Sequence, residues 1–294
     1  MPLTPIAAER LATTHKTAPL WGANTPRWLL RLLPWVQVKA GVFRINRVTT
    51  PAVPLAEHSA GTAVVASFPD YEVHPREITL STVQSVLKIH TRIPDLFNYP
   101  HDQLREQMRL TVEAVKEEKE RRLINSADFG LLANAAPSMR IQAEKGTPPT
   151  PDAMDELLSL VWKMPAFFVA HPRAIAAFGR ACSARGVSMD STEMFGATFH
   201  AWRGVPILPS DKMPIARAKD KSETSSIMLM RTGEEEQGVV GLHQEGVGDE
   251  RLQSLAVRSM GIDDAGVQSY LVTCYFSVAV LVEDALAVLE NVRI

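Results

Sequence analysis

At 294 residues the chain exceeds one average domain, and an apolar fraction of 46% allows one or two lobes with a sizeable core. A formal net charge of −2 excludes a polyanion binder over the whole surface, and two cysteines exclude a disulfide framework. The charge is uneven: residues 1–50 hold seven Lys/Arg against the single acid Glu9, giving +6, so the remainder carries −2 − 6 = −8. A basic arm on an acidic body can bind nucleic acid, or it can pair with acidic neighbouring subunits.

Residues 1–54 contain seven prolines, which exclude a single helix or a central strand. The same stretch carries Trp21, Trp28, Leu29, Leu30, Leu32, Leu33 and Trp35, more apolar surface than a disordered tail holds. It reads as an arm with one short helix over Trp28–Leu33, needing another surface for its tryptophans. Lys39–Arg47 alternates apolar and polar residues as a half-exposed strand does, and Ala60–Phe68 reads as a second strand. Together they predict a β-hairpin with its tip at Pro51–Ser59, which is marginal alone and needs a partner. Ile78–Ile89 brings the chain back, strand-like around Ser81–Lys88.

The span from Pro100 to about Ala135 predicts one long helix, with Pro100 and Asp102 in its first turn. Leu104, Met108, Val112 and Val115 form its narrow apolar face. Glu117–Arg121 and Glu118–Arg122 stand four apart in the favourable order, and the run KEEKERR reads as a solvated face. After the stiff connector GTPPTP, Thr150 and Pro151 supply an N-cap and a first-turn proline. Then come an apolar strand AFFVA, His171-Pro172 opening a helix, and Gly186 ending it. Thr198–Trp202 and Val205–Leu208 read as strands joined at Arg203-Gly204. Ile227–Met230, Val239–His243 and Leu271–Val282 read as further strands. The last has about a dozen residues, short of the roughly 20 of a membrane-spanning helix, so no span is expected. The opening residues lack a charged region followed by a long apolar run, so no secretory signal is expected. Cys182 and Cys274 sit in apolar patterns and suit core filling in a reducing cytoplasm.

Catalytic patterns are absent. Gly238, Gly241, Gly246 and Gly248 lack a P-loop Lys-Ser/Thr and read as turns. The eight histidines show no HExxH or Cys–His spacing, and there is no Gly-x-Ser-x-Gly elbow. Asp190, Ser191 and Glu193 lie together without an assignable His.

The order apolar strand, His171-Pro172, helix, loop, strand, Gly204-Val205-Pro206, strand, Asp211-Lys212-Met213-Pro214 resembles the axial lobe of capsid proteins with the fold of phage Hong Kong 97. The whole chain, most clearly from Thr91 onward, resembles the type 2A encapsulin shell proteins, the branch without an inserted cyclic-nucleotide-binding domain. The resemblance implies an α+β fold with an arm (1–38), an extended loop (39–80), a peripheral lobe with a spine helix (81–145 and 240–294) and an axial lobe (146–239). It implies a non-enzymatic shell subunit: an icosahedral homo-oligomer of about sixty copies, the smallest such shell. The arm would embrace neighbouring subunits, or else pack on its own. The implied cargo is a pyridoxal-phosphate-dependent cysteine desulfurase in a cytoplasmic compartment of sulfur metabolism. The shell chain itself would hold no cofactor or metal, and nucleic acid would not be its partner. A phage or prophage capsid protein packaging nucleic acid is the alternative, and a soluble α/β enzyme a third. The axial tip is expected at Gly186–Thr192, with Ser188, Met189 and Asp190 at a pore. There Asp190 would repeat as a ring of carboxylates, unless it caps the following turn.

Overall fold

The computed structural model describes residues 25–46, 70–90, 103–144, 146–217, 222–244, 250–252 and 254–294. A five-residue helix, Trp28–Leu32 (α1), forms where the tryptophan-rich stretch predicts one. Pro34 cannot continue it, and the chain runs on as strand Trp35–Val38 (β1). Val42–Ile45 (β2) pairs antiparallel with Arg76–Thr79 (β3), Val42 opposite Thr79 and Ile45 opposite Arg76. The described partner of β2 is therefore β3. The expected partner Ala60–Phe68 and the tip Pro51–Ser59 lie outside the described residues. Ser81–His90 (β4) follows where a strand was expected.

The spine helix is Gln103–Asn125 (α2), 23 residues long. It ends some ten residues before the predicted Ala135, and Pro100 and Asp102 fall outside the described residues. The reason is a tight reversal: the Ser126 and Gly130 amides donate to Arg122 O and Ser126 O, both at 2.9 Å. A Cβ on Gly130 would stand 2.4 Å from Ser126 O, closer than a side chain permits. A second short helix, Leu131–Asn134 (α3), and strand Arg140–Gln142 (β5) follow.

Pro151–Leu160 (α4) starts as expected, Thr150 Oγ1 accepting the Ala153 N–H at 3.2 Å. Phe167–Ala170 (β6) leads into Pro172–Ala184 (α5), whose N-cap is His171, Nδ1 accepting the Arg173 N–H at 3.1 Å. The end of α5 is a Schellman turn. Gly186 sits at φ 70, its N–H donates to Ser183 O at 3.2 Å, and the Val187 N–H donates to Cys182 O at 3.0 Å. Asp190–Met194 (β7), Ala197–Trp202 (β8) and Val205–Pro209 (β9) form a meander. Its two-residue turns have both central residues at positive φ: Phe195-Gly196 (53 and 72) and Arg203-Gly204 (49 and 81). The remaining strands are Ala216–Arg217 (β10), Glu223–Met230 (β11), Val239–Gln244 (β12), Glu250–Leu252 (β13), Leu255–Ile262 (β14), Val267–Val280 (β15) and Leu286–Arg293 (β16).

Two large sheets result. One runs β1-β12-β15-β14-β13, with β4 also on β15; the other runs β5-β16-β11-β6-β9-β8-β7, with β10 on β11. The grouping of 240–294 in one lobe does not hold for β16, which lies between β11 and β5 in the second sheet. Leu286–Leu289 is buried on both faces. Such a strand shows no alternation from which its partner could be read.

Alternate residues of the second sheet divide between two cores. Phe167, Val169, Met228, Met230 and Val288 join Leu123 and Ile124 of α2 and the inner face of the first sheet. Phe168, Ala170, Ile227, Leu229 and Leu289 face Leu157 of α4 and Phe178 and Cys182 of α5. A third core on the other face of the first sheet holds Val38, Ile45, Val240, Leu242 and Ala279. No described helix is long and apolar enough to cross a membrane.

Candidate assembly site: the amino-terminal dock and the axial tip

Glu113, Glu117 and Glu120 lie four and three residues apart, so they share one face of α2. The amino-terminal segment docks on that face. The Thr25 N–H donates to Glu117 Oε1 at 2.8 Å and its hydroxyl to Oε2 at 2.9 Å. Arg27 reaches Glu113 at 2.5 Å and Glu117 at 2.9 Å. The Leu29 N–H, at the start of α1, donates to Glu120 Oε1 at 3.0 Å. From the loop after β9, Lys212 Nζ enters the same cluster, 2.6 Å from Glu117 and 3.4 Å from Glu120.

The protonation equilibria follow from this geometry. Burial pushes the Glu120 carboxyl above its ordinary value, against the pull of the Lys212 charge. For Glu117 burial acts in the same sense but is outweighed by hydrogen bonds from Lys212 and Thr25, so its value lies low. Lys212 is held above its ordinary value: burial opposes the charge, but Glu117, Asp211 and Glu120 prevail.

The KEEKERR run is therefore not a solvated face throughout. Lys119 is 7% exposed and Glu120 1%. The Lys119 ammonium lies 3.8 Å from the ring centroid of Trp35 and 5.5 Å from that of Phe276, and burial lowers its pKa. The expected Glu118–Arg122 pair forms at 2.8 Å, with Arg121 also on Glu118 at 2.6 Å. Glu117 instead turns to Thr25, Arg27 and Lys212. Sequence periodicity could not reveal this, because the partners lie about ninety residues away along the chain.

Residues 25–38 thus pack on their own subunit, the second of the two readings of the arm. Trp28 meets Phe199 edge-on at 4.9 Å and stacks with Phe195 at 6.2 Å. Trp35 donates from Nε1 to Leu30 O at 3.2 Å. Its strand adds to β12, where Gly241 is a strand residue and not the turn expected of it. Residues 1–24 lie outside the described residues.

The three predicted pore residues run from the loop after α5 into the first residue of β7, at the end opposite the Phe195-Gly196 turn. Ser188 is exposed in the loop after α5. Met189 is half-buried against the second core, its sulfur over Gly179. Asp190 is exposed but belongs to a strand, paired with Ala201. Arg203 of the β8–β9 turn, whose guanidinium pairs with Asp155 at 3.0 Å, also feels the Asp190 carboxylate.

Large apolar side chains are exposed in separate places: Tyr71 and Val73 before β3, Trp162 and Met164 after α4, Met260 and Ile262 on β14. Paired apolar residues on several faces suit a subunit with several neighbours.

Residues 44–294 match the family described as type 2A encapsulin shell protein, SrpI-like. The chain is 50% identical over 293 residues to the type 2A encapsulin shell protein of Mycobacterium leprae (strain TN), covering 98% of this chain and 94% of that one. The cryo-electron-microscopy structure of the holo-SrpI encapsulin complex from Synechococcus elongatus PCC 7942 superposes with a TM-score of 0.85 at 48% identity, over 100% of this chain and 97% of that one. The capsid subunit of an empty GTA particle superposes at 0.66 with 17% identity, covering 99% and 100% of the two chains, a likeness of fold alone. The fold is thus the Hong Kong 97-type capsid fold expected from the sequence, and the chain belongs to the SrpI-like type 2A encapsulin shell protein family.

Proposed function

We propose that this chain is the shell subunit of a closed icosahedral compartment in the cytoplasm, of about sixty copies or a larger multiple, and that it performs no chemistry itself. The observation that carries this reading is the match of the entire chain, in sequence and in fold, to the subunit of the holo-SrpI encapsulin complex. The exposed apolar pairs Trp162/Met164 and Met260/Ile262 supply surfaces for neighbours. The family resemblance supports a cysteine desulfurase as cargo, in sulfur metabolism, with the pyridoxal phosphate belonging to the cargo. Asp190, exposed beside Arg203, supports a charged ring at the axial tip.

Electron microscopy of purified particles, with mass spectrometry of co-purifying protein, tests the reading. Hollow icosahedral shells containing an enzyme are expected, and shells of this chain alone should lack pyridoxal absorbance and desulfurase activity. A small soluble oligomer would overturn it. The phage-capsid alternative is favoured only by the basic arm and by low-identity fold neighbours; particles holding nuclease-protected DNA would establish it instead.

A further inference from the structure

The Asp211-Lys212-Met213-Pro214 stretch marks the axial lobe in the sequence, yet the shell reading assigns Lys212 no task. Its side chain is 7% exposed and its ammonium faces Glu117, Glu120 and Asp211. Nζ also donates to the Thr25 hydroxyl. The backbone is held as well: Asn125, the last residue of α2, donates from Nδ2 to Lys212 O at 2.8 Å.

An apolar residue of similar length would fill this space without desolvating an ammonium, and exchanges of that kind are often neutral or stabilising. The ammonium does something an apolar group cannot. It fixes two carboxylates of α2, three residues apart, and those carboxylates receive the Thr25 and Leu29 N–H groups. The loop after β9, the spine helix and the amino-terminal segment can then meet in one register. Satisfied buried polar networks specify geometry in this way.

We infer that Lys212 is the positioning residue of the amino-terminal segment: through Glu117 and Glu120 it sets the register in which Thr25–Leu29 join α2, and so the point at which the preceding arm is tethered to the subunit. The effect on shells rests on the function proposed above; the register does not.

Hydrogen exchange by mass spectrometry on the full-length chain tests it. The variant Lys212→Met/Glu120→Gln removes one charge of each sign, keeps side-chain length, and leaves an amide oxygen to accept from Leu29. Its Tm should stay within about 3 °C of the parent, while amides of residues 25–33 exchange about tenfold faster or more, since Glu117 has lost the ammonium that fixes it and Leu29 donates to a neutral amide. Protection in β6 and β11 should not change. Lys212→Arg should restore slow exchange. Shells of the double variant should form in lower yield or with mixed diameters. Unchanged exchange over 25–33 would overturn the positioning role. Faster exchange with shells of normal yield and diameter would overturn its link to assembly. Absence of shells from the parent chain would instead refute the shell reading, and the exchange comparison would stand.

Discussion

The indole of Trp35 occupies the space a side chain would take at Gly241: a Cβ there would stand 2.7 Å from ring atom Cε3. The two residues are directly paired between β1 and β12, and the Gly241 N–H donates to Pro34 O at 2.8 Å. Gly241→Ala must therefore displace the ring or lift β1 from the sheet. Overpacking of this kind costs about 1–3 kcal/mol. Thermal unfolding followed by circular dichroism should show a lower Tm for Gly241→Ala, and a Tm equal to the parent's would remove the close-packing argument.

Lys119 has aromatic rings beside it and no acid partner in an ion pair among the described residues. Its folded-state pKa lies below its unfolded value, so the charged form weakens the fold at any pH below both values. That penalty shrinks as pH rises through the folded pKa toward 10.5. Lys119→Met is expected to be neutral or stabilising by about 1 kcal/mol at pH 7, with the difference narrowing toward pH 10. Denaturant titrations at the two pH values check both the sign and the trend.

Asp284 bridges Lys163 and the buried Arg231, each at 2.7 Å. The hydrogen bond from Lys163, then that from Arg231, outweighs burial and holds its carboxyl below the ordinary range. A depressed carboxyl pKa contributes stability above its unfolded value and loses it as pH falls through the folded one. Asp284→Asn leaves Arg231 without its counter-ion and should cost about 2–3 kcal/mol at pH 7, less than for a fully buried pair. The gap between variant and parent should narrow as pH falls below 3.8 and through the lower folded value, as read from urea midpoints across pH.

Two truncations separate the arm from the dock. Deleting residues 1–38 removes Leu29, Leu33 and Val38, each less than 5% exposed, together with Trp35. At about 1.5–3 kcal/mol per buried side chain, the loss rivals the whole stability of a typical domain, about 5–15 kcal/mol. That chain should be largely unfolded. Deleting 1–24 leaves every described residue in place and should give a folded subunit whose shells are absent or altered. Indistinguishable shells from the shorter deletion would remove the arm from assembly.

Asp190→Lys tests the proposed ring at the axial tip. Turnover of a charged substrate by encapsulated cargo should change severalfold, with free cargo enzyme unaffected, because a ring of like charges attracts or repels ions that pass it. Equal turnover in both shells would dissociate Asp190 from transport.

The sequence by itself determined the elements that local chemistry specifies. Proline at the first turn and Thr150 or His171 before it placed α4 and α5. Gly186 ended α5 because its left-handed conformation suits glycine. The apolar run AFFVA and the largely apolar stretch Leu271–Val282 marked buried strands, and the linear order of these elements carried the family likeness. Only the tertiary structure decided which sheets take Trp35–Val38 and Leu286–Arg293. Trp35 and β16 became members of different sheets, and Glu117 and Glu120 of KEEKERR became part of a dock. Those outcomes depend on partners far apart in sequence: Gly241 for Trp35, β11 for β16, Lys212 for Glu117 and Glu120. A charged helix face reads alike whether water or another segment covers it, because periodicity records the spacing of side chains and not the identity of what is packed against them.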